Sequence, residues 1–214
     1  FATAAARAPW LAEPSVVRAE PGSLGVPVAE AGVDVYASAH NETSTGVMAP
    51  VARPAGIDPD ALVMVDATSG AGGLPVDVAE ADVSYFAPQK GFASDGGLWI
   101  ALMSPRALER AARVAATERH VPAFLDLPTA IENSRKDQTY NTPSVATLFL
   151  MDQQLGWMLS LGGLEATVAR TRASAAHLYP WAEASTWVDP FVADPAHRSH
   201  VVATLDLAPP LDFE

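Results

Sequence analysis

Four short segments in which nearly every residue is apolar constrain the fold more than any other feature of this sequence. They are residues 33–38, 61–66 (ALVMVD), 82–87 (DVSYFA) and 97–103 (GLWIALM). Alternating apolar and polar residues are typical of a strand with one exposed face, whereas continuous apolar runs suit strands buried on both faces. Clusters of glycine and proline separate the runs. The sequence therefore predicts an α/β fold with a mostly parallel, buried sheet that is covered by helices.

Helix patterns replace the strand patterns after the fourth run. Ser104 followed by Pro105 is typical of an N-cap and the first turn of a helix, and Thr142 followed by Pro143 repeats this signal. The second signal predicts a helix over residues 144–160. Its predicted apolar face consists of Val145, Leu148, Phe149, Leu155 and Leu159.

Two adjacent glycines, Gly162 and Gly163, interrupt the helical pattern, and a second long helix follows them. Residues 200–207 then alternate between apolar and polar side chains, as a half-buried strand does. We therefore expect residues 1–164 to form a large domain and residues 165–214 to begin a small C-terminal α+β domain.

Composition excludes several classes of function. The chain of 214 residues has 13 basic and 25 acidic residues, a net charge of −12, which disfavours binding to nucleic acid or to anionic membranes. No apolar run approaches the ~20 residues that span a bilayer. The chain has no cysteine, which excludes disulfides and cysteine nucleophiles and is compatible with the cytoplasm. Its five histidines lack metal-ligand spacing, so no metal site is predicted.

Two residues at predicted strand ends have types that suit catalysis. Asp66 ends the second apolar run, and Lys90 follows the third. Open α/β sheets bind ligands beside the carboxyl ends of their strands. Lysine forms Schiff bases with aldehyde cofactors, and a carboxylate keeps a pyridine nitrogen protonated. Judged by spacing alone, Asp66 and Lys90 are better explained as ordinary surface residues at strand ends.

Family resemblance adds to this interpretation. Four segments in register resemble the phosphoserine aminotransferases, which belong to the class V, fold-type-I group of pyridoxal-phosphate enzymes, and they are most similar to actinobacterial members. The segments are HNETSTGV at residues 40–47, VDATSGAGGLPVDV at residues 65–78, YFAPQKGFASDGGLWIALMSP at residues 85–105 and QTYNTP at residues 138–143. Residues 191–202 resemble the start of the family's C-terminal domain. The resemblance implies a fold-type-I large domain.

The resemblance also implies roles for individual residues. Lys90 would hold pyridoxal 5′-phosphate as a Schiff base and move the substrate α-proton, and Asp66 would pair with the pyridinium nitrogen. Gln89 would bind the cofactor phosphate, and Thr43 would contact the region of the phenolic oxygen. From the residues alone, Gln89 is better explained as an ordinary turn residue, and Thr43 is compatible with a simple polar loop.

Asn141 and Thr142 would reach the cofactor phosphate of a neighbouring subunit, which implies a homodimer with shared active sites. Without the resemblance, Asn141 is an ordinary turn residue and Thr142 is a helix N-cap. The two roles of Thr142 are compatible, because free N–H groups at a helix N-terminus favour phosphate.

The implied reaction is amino transfer between O-phospho-L-serine and 2-oxoglutarate in serine biosynthesis. Two alternatives remain: another class V aminotransferase that acts on small amino acids, and a non-catalytic remnant that serves as a dimerisation module. The absence of cysteine excludes a cysteine desulfurase. Family members are longer at both ends, and segments expected to grip the cofactor phosphate and the substrate carboxylate lie outside this chain.

Overall fold

The computed structural model describes residues 2–208, and the fold consists of short strands joined to longer helices. The strands are β1 (Val35–Ala39), β2 (Asn41–Glu42), β3 (Val47–Met48), β4 (Leu62–Asp66), β5 (Val83–Phe86), β6 (Ile100–Met103), β7 (Val188–Pro190) and β8 (Leu205–Leu207). The α-helices are α1 (Ala2–Arg7), α2 (Pro105–Ala115), α3 (Leu127–Ser134), α4 (Val145–Ser160) and α5 (Gly163–Ala184). Among these helices, none has both the length and the apolar character needed to cross a membrane.

The central sheet has the order β1-β4-β5-β6. Strands β1, β4 and β5 are parallel, which confirms the predicted α/β fold with a mostly parallel sheet. Strand β6 pairs with β5 in the antiparallel sense, and its Leu102 is 51% exposed. Burial of the fourth apolar run on both faces was therefore a wrong expectation. A parallel partner requires a long crossover, whereas β6 follows β5 through a connection without an α-helix and forms the edge of the sheet.

The core lies against one face of this sheet. Tyr36 of β1, Val63 and Val65 of β4 and Phe86 of β5 contribute side chains to it, and Met158 of α4 packs on them. Burial of such side chains stabilises each by about 1.5–3 kcal/mol relative to exposure. The apolar runs therefore form strands because the covered sheet removes their side chains from water.

A buried carboxylate lies at the amino end of β5. Asp82 is 2% exposed, and its oxygens accept hydrogen bonds from the Val63 N–H at 2.9 Å, from Arg53 at 2.5 Å, from Ser104 at 2.8 Å and from Arg106 at 2.9 Å. Burial opposes ionisation, but these donors outweigh it and lower the pKa of Asp82. The network joins β4, β5 and the start of α2 at the edge opposite to Lys90.

Helix α2 begins as the sequence predicts, with the Ser104 hydroxyl accepting from the Ala107 N–H at 3.2 Å. Helix α4 begins later than its Thr-Pro signal predicts. Its N-cap is Ser144, which accepts from the Thr147 N–H at 3.4 Å, so the prediction that Thr142 is the cap was wrong. The Ser144 hydroxyl lies three residues before the N–H from which it accepts a hydrogen bond, as is typical of an N-cap.

The predicted apolar face of α4 is not its buried face. Val145 and Leu159 are each 72% exposed and Phe149 is 61% exposed, whereas Thr147 and Met158 are buried. Thr147 tolerates burial because its hydroxyl donates to the Gly96 carbonyl oxygen at 2.9 Å. Contact with the sheet therefore decides which face of α4 is covered, and the apolar stripe by itself does not.

Helix α5 is followed by the antiparallel pair β7–β8. The strand predicted over residues 200–207 is limited to Leu205–Leu207, which corrects that expectation. The preceding residues contact the β2–β3 hairpin instead: the Ser199 N–H donates to the Gly46 carbonyl at 2.8 Å, and the Thr204 hydroxyl donates to the Thr45 carbonyl at 2.6 Å. The division into domains at residue 165 stays a prediction.

Candidate active site

Three parallel strands end at one edge of the sheet. Ala39 of β1, Asp66 of β4 and Tyr85 of β5 are neighbours in register. The segments after these residues therefore emerge side by side, and they include most of the residues that the sequence singles out. This is the edge at which open α/β sheets bind ligands.

The Asp66 carboxylate is oriented by two hydrogen bonds. One oxygen accepts from the Thr68 N–H at 2.9 Å, and the other accepts from the Tyr85 hydroxyl at 2.9 Å. Burial raises the pKa of the Tyr85 phenol, and the hydrogen bond and negative charge of Asp66 raise it further, so the phenol keeps its proton. A carboxylate offers about four acceptor positions, so Asp66 retains capacity for a cationic N–H.

The loop that contains Thr43 is joined to the turn after Asp66. Ser69 accepts hydrogen bonds from the Thr43 hydroxyl at 2.8 Å and from the Asn41 amide at 3.0 Å, and it donates to the Asn41 carbonyl at 3.3 Å. One hydroxyl thus connects the β2–β3 hairpin to the segment after β4. Thr43 and Asp66 are brought to the same end of the sheet by this contact.

Lys90 lies in a tight turn after β5. The Ala93 N–H donates to the Lys90 carbonyl at 2.9 Å, and the Ser94 hydroxyl donates to the Thr147 carbonyl of α4 at 2.7 Å. Phe92 stacks on Phe86 with ring centroids 5.0 Å apart. The backbone of the turn is therefore held by the core and by α4, although the Lys90 side chain itself is exposed.

The lysine turn contacts the turn that follows Asp66. Gly91 lies so close to the Ala71 carbonyl oxygen that a Cβ at this position would overlap it. Across residues 2–208, the Lys90 amine has no hydrogen bond or ion pair. The other lysine in the sequence, Lys136, pairs with Glu132 at 2.6 Å. Lys90 therefore differs from Lys136 in having no partner among the described residues.

The remaining predicted residues are arranged differently. Gln89 is exposed beside Lys90, and in the described part of the chain its side chain makes no hydrogen bond. Asn141 and Thr142 are exposed and line a cleft of about 630 Å³ with residues 137–140. No hydrogen bond within the described residues joins them to Asp66 or Lys90. Their predicted roles at a cofactor phosphate stay predictions.

His40 lies beneath this edge and is 3% exposed. Its Nε2 atom is 3.1 Å from the Pro75 carbonyl oxygen, and its Nδ1 atom has no hydrogen-bond partner among the described residues. Burial lowers the pKa of His40, and the bond to Pro75 offsets this only in part. His40 is therefore a neutral imidazole that donates through Nε2.

Sequence reasoning missed Tyr85 and Ser69 as residues of this edge. The sequence did contain a signal for Tyr85. One predicted strand ends in Asp66 and the next ends in Tyr85-Phe86, and in parallel strands paired in this register the side chains of Asp66 and Tyr85 are neighbours. Ser69 offered no such signal, because its partners in β2 and the following loop are 26 and 28 residues away.

Sequence comparison identifies the class of protein. The family model for class-V aminotransferases matches residues 28–209. The chain therefore belongs to the class-V aminotransferase family, whose members depend on pyridoxal 5′-phosphate.

Its relatives include named enzymes. The chain is 68% identical over 213 residues to a phosphoserine aminotransferase of Nocardioides sp., covering 99% of this chain and 57% of that protein. It is 58% identical over 212 residues to a phosphoserine aminotransferase of Corynebacterium glutamicum, covering 99% and 56% respectively. The chain thus spans little more than half the length of these curated relatives.

Solved structures agree on the fold. A phosphoserine aminotransferase from Cytophaga hutchinsonii superposes with a TM-score of 0.74 at 26% identity, covering 86% of this chain and 50% of that one. An aspartate aminotransferase from Thermus thermophilus superposes with a TM-score of 0.71 at 25% identity, covering 85% and 50%. The described fold is that of a fold-type-I aminotransferase.

The residues at the strand ends fit the family's cofactor. Pyridoxal 5′-phosphate needs an amine that can bond to its aldehyde and a carboxylate beside its ring nitrogen. Lys90 and Asp66, which lie on adjoining turns, are of the types that would supply these groups, and the Thr43 hydroxyl is a further polar group at the same edge.

Proposed function

We propose that this chain forms the central part of a phosphoserine aminotransferase, which transfers the amino group between O-phospho-L-serine and 2-oxoglutarate. The observation that carries the proposal is a pair of adjoining turns. One presents a lysine that has no partner among residues 2–208, and the other presents a doubly hydrogen-bonded carboxylate. The substrate assignment is supported by relatives of that name at 58–68% identity.

Each residue has a defined task in the proposed reaction. When bound, pyridoxal 5′-phosphate supplies an aldehyde carbon and a cationic ring that accepts electrons. Lys90 would hold this group through Nζ and would later move a proton to and from the substrate α-carbon. Asp66 keeps the ring nitrogen protonated by charge attraction, since an anion within about 4–6 Å favours a cation. Thr43, whose hydroxyl donates to Ser69, would contact the group near its phenolic oxygen.

The proposal includes a homodimer with shared active sites in the cytoplasm. Its support is the exposure of Asn141 and Thr142, which make no hydrogen bond to Asp66 or Lys90 within the described residues. They are free to contact the cofactor phosphate of a second copy. Gln89, exposed beside Lys90, contacts the phosphate within the same copy.

Covalent labelling tests the cofactor site. The protein is incubated with pyridoxal 5′-phosphate, reduced with borohydride and digested, and the labelled peptide is sequenced. Because the chain has two lysines, Lys90→Ala and Lys136→Ala form a matched pair. We expect visible absorbance and label in the parent and in Lys136→Ala, and neither in Lys90→Ala. Label at Lys136, or none in the parent full-length protein, would overturn the assignment.

Half-reactions of the unreduced full-length protein loaded with pyridoxal 5′-phosphate test the substrate. The absorbance change of the bound cofactor is followed after addition of O-phospho-L-serine, L-alanine or glycine, and 2-oxoglutarate is then added to regenerate the starting spectrum. We expect the highest kcat/KM with phosphoserine. A higher value with alanine or glycine would favour a different class V aminotransferase.

A further inference from the structure

A tyrosine that sequence reasoning did not single out contacts the proposed cofactor acid. Tyr85 and Asp66 are Cα partners in the parallel register of β5 and β4. Register partners project side chains to the same face of a sheet, and the Tyr85 hydroxyl donates to Asp66 at 2.9 Å. We infer that Tyr85 is a positioning residue, which holds the Asp66 carboxylate in the orientation that pairs with the cofactor ring nitrogen. This inference rests on the proposed function.

The hydrogen bonds of Asp66 explain why a positioning residue is needed. A carboxylate rotates about its Cβ–Cγ bond unless both oxygens are held, since this terminal torsion is broad. The Thr68 N–H holds one oxygen and Tyr85 holds the other. Without the phenol, the plane of the carboxylate is fixed at one oxygen only, and part of its attraction for a ring cation is lost.

The protonation state of Tyr85 supports this role. A carboxylate only accepts hydrogen bonds, so the phenol must donate. Burial is the largest cause of the raised pKa of Tyr85, followed by the hydrogen bond and the charge of Asp66. The phenol therefore stays a donor over the whole range in which an enzyme works.

Tyr85→Phe in the full-length protein tests the inference, with Tyr36→Phe as the matched control. Tyr36 lies in the same sheet, and its hydroxyl bonds to the Glu30 backbone, away from Asp66. Removing a hydrogen bond to a charged group is expected to raise the Kd for pyridoxal 5′-phosphate about tenfold in Tyr85→Phe. Tyr36→Phe should leave this Kd within about twofold of the parent.

Two further readouts separate positioning from a merely structural role. In the Asp66→Asn background, Tyr85→Phe should change the Kd no further, because the two residues act through one contact. The absorbance of the cofactor bound to Lys90 changes with pH as the nitrogen that joins them gains a proton. The midpoint of this change should move to higher pH in Tyr85→Phe, because weaker pairing of the ring cation with Asp66 favours protonation of that nitrogen.

The outcomes distinguish the two proposals. If the parent binds cofactor at Lys90 but Tyr85→Phe matches it in Kd and pH midpoint, the inference about Tyr85 fails and the proposed function stands. The inference also fails if Tyr85→Phe weakens binding equally in the presence and absence of Asp66. If the parent itself takes up no cofactor, the proposed function fails.

Discussion

Gly91 lies directly against the backbone carbonyl oxygen of Ala71, with no room for a side chain between them. This contact joins the turn that contains Lys90 to the turn that begins at Asp66. The two residues proposed to hold the cofactor, 24 positions apart in sequence, therefore share one support. A lysine and a carboxylate held on adjoining turns need little reordering when they bind a ligand, which lowers the entropic cost of binding.

Gly91→Ala tests this support. The added Cβ overlaps a backbone oxygen that cannot rotate away, so one turn must shift. We expect a loss of about 1–3 kcal/mol in the free energy of unfolding and weaker cofactor uptake at Lys90. Gly96→Ala is the control, because a Cβ there meets no atom within 4 Å. Urea denaturation measures the first effect, and equal midpoints for the two variants would contradict the prediction.

Ser69→Ala should loosen the loop that contains Thr43. The substitution removes the acceptor of the Thr43 hydroxyl and of the buried Asn41 amide, and an unsatisfied buried donor costs about 1–3 kcal/mol. Thermal unfolding should show this loss, and cofactor affinity should fall with it. Ser44→Ala changes an exposed serine of the same loop. If Ser44→Ala proves as damaging as Ser69→Ala, the network around Ser69 has no special role.

His40 should make the protein less stable in mild acid. Burial lowers its pKa from an ordinary value of 6.5, so the folded state keeps the neutral imidazole. The contribution of the neutral His40 to the free energy of unfolding is fully present above pH 6.5. It is lost as the pH falls below 6.5, because the unfolded chain then binds a proton that the folded chain does not. The urea concentration at which half of the parent protein is unfolded should therefore decrease as the pH is lowered from about 7.5 to about 5.5.

His40→Gln should reduce this pH dependence while retaining a donor for Pro75. Some dependence will persist, since burial, followed by the charge of Arg172, also lowers the pKa of His200. His177→Gln, an exposed position on α5, provides the comparison. A slope that is unchanged in His40→Gln but reduced in His177→Gln would show that the acid sensitivity has another origin.

Asp82→Asn should be the most destabilising of these changes, by about 3 kcal/mol at neutral pH, because it leaves Arg53 and Arg106 beside a neutral side chain. The pKa of Asp82 is lowered from its ordinary value of 3.8. The contribution of the Asp82 carboxylate to the free energy of unfolding is therefore present above pH 3.8 and is lost as the pH falls below that value. The difference between the parent and Asp82→Asn should thus narrow towards about pH 3. Asp95→Asn, an exposed site, should remain within about 0.5 kcal/mol of the parent. Guanidinium denaturation at several pH values measures both effects.

Several features followed from local sequence alone. The first three apolar runs became β1, β4 and β5, because continuous apolar segments are stable only when both faces of the strand are covered. Ser104-Pro105 began α2 where predicted, because an N-cap depends on atoms within four residues. The glycines after Asp66 formed a tight turn, in which the Leu74 N–H donates to the Gly70 carbonyl at 2.9 Å. The class of cofactor chemistry followed from the resemblance of four segments in register to a known family, and not from the residues alone.

Tertiary structure decided the remainder. Neither the antiparallel direction of β6 nor the buried face of α4 could be inferred, because strand direction depends on the path of the connection and burial depends on which surface is adjacent. Tyr85 and Ser69 entered the site only through contacts with residues 19 or more positions away. Local propensity acts over a few residues, whereas the geometry of the site is set by register between distant strands. The sequence by itself therefore determined three strands of the sheet, the start of α2 and, through family resemblance, the cofactor class. The folded sheet decided which side chains surround Asp66.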